Sequence, residues 1–162
     1  MIFRERVGIS QFRVAQAPAL LVAHGLGSCV GIALYDPRPR LGALAHTLLP
    51  ALRSGLENSR PGKFVDTAIC AMVEELLGRG AKRERLRAKV AGGANMFEQN
   101  FATDEGVGAR NARSARETLA RLDIPLLAED TGGSHGRTLE FDLATGAIQV
   151  RTIRGGATLL TL

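Results

Sequence analysis

The chain has only two cysteines, Cys29 and Cys70, among 162 residues. They make neither a CxxC pair nor a disulfide framework, so a reducing compartment fits and each thiol needs its own explanation. Aromatic residues are scarce at 4%. That is too few to build the stacking platforms used by single-strand readers, and nucleic-acid binding is not expected. No apolar run approaches the roughly 18 residues of a membrane span, so direct membrane insertion is not expected either. The opening "MIFRERVGIS" sets charges among its first apolar residues, unlike a secretory signal. A cytoplasmic protein is the expectation. Cys29, Cys70, His24, His46 and His135 lack zinc-ligand spacing, so no metal is expected.

What is present suits one domain over residues 1–162. Apolar residues reach 45% and charged residues 23%, ordinary values for a globular chain with a core. The net charge of +5, carried mostly by arginine, favours acidic partners. Strand patterns occupy Ala19–His24, Val30–Asp36 and Leu41–Leu49, with "DPRPR" as a turn between the last two. Residues 51–62 read as an exposed loop. Helical spacing runs through "KFVDTAICAMVEELLGRGA" and again from Gly108 to Leu122. Cys70, inside the first of these, is expected in the core. Further strands are expected at Leu86–Ala91 and in "IPLLAED". "RTLEFDLATGAIQVRTI" alternates as a hairpin with Leu139, Phe141, Ile148 and Val150 inward. Strands in runs with two inserted helices predict an α+β or mixed α/β layered domain.

"AHGLGSCVGIALYD", Ala23 to Asp36, admits two readings. A dinucleotide loop needs Gly-x-Gly-x-x-Gly between a strand and a helix. Gly25-Leu26-Gly27 lacks the third glycine, and strand rather than helix follows. "DTGGSHGR" lacks the lysine of a phosphate loop. The other reading is a nucleophile at a glycine-lined bend. His46 lies seventeen residues after Cys29, on the adjoining strand. A thiol beside an imidazole is a standard nucleophile and base. Spacing alone leaves both as candidates, since cysteine and histidine also occur as plain core residues.

Several longer blocks resemble the CheD family of chemoreceptor glutamine deamidases. "GLGSCVGIALYD" with "GALAHTLLP" is similar to the family's nucleophile and histidine segments, separation included. "KFVDTAI", "EELLGRGAKRERLRAKVAGGANMF", "GARN" and "LDIPLLAEDTGGSHGRTLEFDLATGAIQV" extend the resemblance along nearly the whole chain. It implies conversion of glutamine side chains to glutamate in methyl-accepting chemotaxis receptors, on their cytoplasmic helical domain. Cys29 is then the nucleophile, His46 its base, a thioester the intermediate, and no cofactor is needed. The implied fold is a β-sandwich-like domain with flanking helices, similar to cysteine-dependent deamidating toxins. A CheC-type phosphatase is a further implied partner. Where the family carries a threonine that orients the histidine, this chain has Ala23. His24 is the candidate substitute, and the N–H groups around Gly27, Ser28 and Cys29 are candidate oxyanion donors. The alternative is a non-catalytic adaptor of the same fold, which Ala23 favours and intact Cys29 and His46 oppose.

Overall fold

Strands that are apolar on both faces need cover on both sides, and two helices with one apolar stripe each can supply one of those covers. The computed structural model describes residues 2–52, 60–96 and 106–152, and the backbone of 159–161. It solves the requirement with three layers. The first sheet runs in the order β1 (Phe3–Arg6), β3 (Ala19–Leu26), β8 (Arg137–Asp142), β9 (Ile148–Thr152) and β10 (Leu159–Thr161). The second runs β2 (Gln11–Gln16), β5 (Leu41–Thr47), β4 (Val30–Asp36), β6 (Arg87–Gly92) and β7 (Leu126–Thr131). The β1–β3 and β6–β7 pairs are parallel and the other pairs antiparallel. The expected mixed α/β architecture is what forms.

β4 is the middle strand of its sheet and explains the layering. Val30, Ile32 and Leu34 face the helices, packing with Ile69, Met72 and Leu76 of α1 (Val65–Gly78) and with Ala115 and Leu119 of α2 (Val107–Arg121). Its other face joins Leu21, Leu44, Leu139, Phe141 and Ile148 between the sheets. Each such Leu, Ile or Phe contributes about 1.5–3 kcal/mol by leaving water. A Cβ on Gly31 would come within 3.1 Å of both Leu26 and Leu139, so the sheets close tightly there. At the far end of β4, buried Asp36 accepts from the N–H groups of Arg38 and Lys82 and from Arg85 Nε. Burial works to raise its carboxyl, but these donors together hold it below the ordinary range.

Both helices end in a left-handed residue. After α1, Gly80 (φ +107°) and Ala81 return their N–H groups to Leu77 and Leu76. After α2, Asp123 (φ +62°) and Ile124 do the same to Ala120 and Leu119. Among the described residues no helix is long and apolar enough to cross a membrane.

Three strands were not expected. β1 and β2 are exposed or half-buried, β1 with Arg4, Glu5 and Arg6 and β2 with Arg13, as edge strands are, and β10 is short. Cys70 is a correction: it is exposed. It follows Ile69 by one position, which turns it about 100° off the buried stripe of a helix. Residues 53–59 of the expected loop, and Ile153 of the expected hairpin, lie outside the described residues.

Candidate active site

β3 ends at Leu26 in one sheet and β4 begins at Val30 in the other. Gly27, Ser28 and Cys29 therefore carry the chain between layers, and the candidate nucleophile sits at the crossing. Three successive carbonyls are tied down there. Gly27 O accepts from the Ala94 N–H at 2.9 Å and Cys29 O from the Gly93 N–H at 2.9 Å. Ser28 O accepts from Asn111 Nδ2 at 2.8 Å. Gly92, in the supporting turn, has φ +113°, and a Cβ on it would overlap the Cys29 carbonyl oxygen. Glycine is required for both reasons.

His46 belongs to β5, with β2 on one side and β4 on the other. Gly31 pairs with His46 and Ala33 with Leu44 across the β4–β5 ladder. Continued by two residues, that register sets Cys29 opposite Leu48. On that continuation Cys29 falls diagonal to His46, on the side of the sheet that Ala33 and Leu44 turn toward the other sheet, at the roughly 7–8 Å backbone spacing of diagonal neighbours. Both are buried, at 7% and 1% exposure.

The imidazole is anchored on one side only. Its Nδ1 lies 3.3 Å from Val7 O, while Nε2 is buried with no partner among the described residues. A carbonyl only accepts, so Nδ1 carries the proton and Nε2 presents a lone pair. Burial lowers the His46 pKa from 6.5; the Val7 bond opposes this, and the charge of Arg6 adds to it. Burial raises the Cys29 thiol above 9.0, opposed by its own backbone N–H. The resting pair is a neutral thiol and a neutral imidazole.

The remaining expected positions divide. Ser28 is at the site, half-buried, and its N–H has no carbonyl partner among the described residues. Gly27 is also there, but its N–H donates to Gly25 O at 3.0 Å within a tight turn. The available donors are thus Ser28 and Cys29. His24 is exposed on β3, and among the described residues no hydrogen bond joins it to His46. Ala23 is buried between the sheets, and Val7 O takes the anchoring place at Nδ1.

Two residues escaped the sequence reading. Asn111 is fully buried on α2 and bonds Leu48 O at 3.1 Å as well as Ser28 O. Its signal was present: it lies four residues before Ala115 on the apolar stripe, where a polar side chain needs a reason. Arg137, at 6% exposure, donates to Gly132 O at 2.7 Å and Gly92 O at 3.4 Å and faces Asp130 at 3.3 Å. It braces the turns behind Cys29. Its only signal was a charge in register with inward Leu139 and Phe141.

Comparison with known proteins shows the family. A family model described as "CheD chemotactic sensory transduction" matches residues 48–152. A probable chemoreceptor glutamine deamidase CheD 2 of Geobacter metallireducens is 57% identical over 91% of this chain and 93% of its own. The chemoreceptor glutamine deamidase CheD of Thermotoga maritima is 45% identical over 94% of each chain. A probable counterpart from Pyrococcus abyssi is 44% identical over 93% of each. Among solved structures, the Bacillus licheniformis hypothetical protein YfiH aligns with a TM-score of 0.48 and 16% identity, over 74% of this chain and 49% of that one. With such identity across nearly its full length, this chain belongs to the CheD family.

Proposed function

We propose that this protein is a cytoplasmic hydrolase that deamidates glutamine side chains of chemoreceptors, with residues 1–162 acting as one catalytic domain. The observation that carries the reading is the one-sided anchoring of His46: Nδ1 is held by Val7 O, and Nε2 is buried, has no partner among the described residues, and belongs to the side of β5 that Leu44 turns toward the Cys29 cluster.

The chemistry follows from that arrangement. As the substrate amide enters, Cys29 Sγ attacks the δ-carbonyl carbon and the thiol proton passes to His46 Nε2. The carbonyl π electrons move to oxygen, which accepts from the N–H groups of Ser28 and Cys29. Collapse of the adduct breaks the C–N bond, and His46 returns its proton to the departing ammonia. Water, deprotonated by the same imidazole, then opens the glutamyl thioester and restores the thiol. The sum is amide plus water to carboxylate plus ammonium.

A second reading is an adaptor that binds receptors or a CheC-type phosphatase without catalysis. Ala23 favours it, because the residue expected to orient the base is missing. Val7 O opposes it by filling that role through the backbone. The test is ammonia release from the cytoplasmic fragment of a cognate receptor. The deamidase reading expects release with the parent protein, loss of at least about a thousandfold in Cys29→Ala, and nearly as much in Cys29→Ser, whose hydroxyl lacks the readily formed anion. Receptor binding without release would establish the adaptor instead.

A further inference from the structure

The candidate oxyanion donor at Cys29 raises a question of aim, because its N–H belongs to a peptide unit whose carbonyl is on Ser28. A peptide unit is planar and trans, so its N–H and C=O point in opposite directions. Whatever fixes the Ser28 carbonyl also fixes the direction of the Cys29 N–H. Among the described residues that carbonyl is held by Asn111 Nδ2 at 2.8 Å. The same nitrogen donates to Leu48 O at 3.1 Å, two residues beyond His46 and opposite Cys29 by the β4–β5 register.

Both partners of that nitrogen are carbonyl oxygens, which cannot donate. The orientation of the amide is therefore determined, and both of its hydrogens are committed. Its Oδ1 is buried without a partner among the described residues, so the side chain is retained there at a cost. α2 is seated to deliver it: a Cβ on Gly108 would overlap Ala94 O, so the first turn of the helix lies directly on the loop that supports Cys29.

We propose that Asn111 is the positioning residue of the oxyanion site: by holding the Ser28 carbonyl it turns the Ser28–Cys29 peptide so that the Cys29 N–H faces the sulfur and the reacting carbonyl oxygen. The same brace ties the nucleophile loop to the end of the histidine strand. The proposal rests on the deamidase reading for its role in turnover, but the aim of the N–H is a property of the free protein.

Two measurements separate the two levels. Turnover of a receptor fragment by Asn111→Ala should fall about 10- to 100-fold in kcat with KM little changed, somewhat less than removal of an oxyanion donor outright. Alkylation of Cys29 by iodoacetamide needs no oxyanion site. Its limiting rate at high pH should therefore stay within about threefold of the parent, while its midpoint moves up by about half a pH unit or more as the N–H swings away from the thiolate. Asn111→Ser, with one donor on a shorter arm, should fall between the two and serves where the alanine variant fails to fold. An unmoved alkylation midpoint, or kcat within threefold of the parent, overturns the proposal. A parent protein that alkylates as described but releases no ammonia overturns the deamidase reading, and the midpoint shift still decides the role of Asn111.

Discussion

At the scale of single residues, the site depends on what each side chain is denied. His46 is buried and its Nε2 has no partner among the described residues, which favours the neutral imidazole that the proposed base requires over the cation. Protonated His46 cannot take the thiol proton, and its pKa lies below 6.5, led by burial. The acid limb of kcat/KM is therefore expected below pH 6.5. A limb centred above pH 6.5 would contradict the account. The same shift acts on folding. The unfolded chain binds this proton more readily, so the contribution of neutral His46 to stability is present above pH 6.5 and falls as pH drops below it. Cys29 behaves oppositely to a pre-formed thiolate. Burial keeps the thiol above 9.0, so alkylation of the free protein should climb through pH 9 rather than level off near pH 7. The Cys29–His46 pair was legible because both residue types and their adjoining strands stand in the sequence. The acceptor at Nδ1 was not, since a backbone carbonyl from Val7 leaves no mark on residue identity.

At the scale of elements, two glycines with positive φ separate strain from function. Gly80 closes α1 at φ +107° with open space around its missing Cβ. Gly80→Ala should destabilise by about 1 kcal/mol and leave activity intact in the folded protein. Gly92, at φ +113°, carries the same backbone strain but also abuts the Cys29 carbonyl. Gly92→Ala should cost about 1–3 kcal/mol and displace the nucleophile loop, so turnover falls even where the variant is fully folded. Urea titration beside kcat distinguishes them, and equal turnover in both variants would contradict the support assigned to the 92–94 turn. The elements themselves were uneven in what they revealed. β4, β8 and β9 announced themselves by alternation, β5 by its apolar run, and both helices by their stripes. β1 and β2 did not, because an edge strand with Arg4, Arg6 and Arg13 partly in solvent carries no apolar period. Cys70 was misplaced for the opposite reason: apolar neighbours on both sides suggested the core, where the helical angle turns it outward.

For the whole molecule, the layering brings the site together. The proposed nucleophile lies where the chain passes between sheets, the proposed base on the inner face of one sheet, and the proposed brace on a helix behind it. No short window contains all three, so their meeting was expected from family resemblance and from strand pairing but not from any motif. The net charge of +5 also acts at this scale. If it draws the protein to acidic receptor helices, KM for a receptor fragment should rise as salt goes from about 0.05 to 0.5 M, because screening shortens the reach of exposed charge, while kcat stays level. A salt-independent KM would remove charge from the recognition.

The central claim is that Cys29 and His46 together convert receptor glutamine to glutamate although Ala23 stands where the family's threonine is expected. The most direct measurement is peptide mass mapping of a receptor fragment after incubation with the protein, beside Cys29→Ala. The account predicts a gain of about one dalton at specific glutamines, as an amide becomes an acid through the thioester, and none with the variant. An unchanged fragment in the presence of bound, folded protein would contradict it, and so would an equal gain with Cys29→Ala.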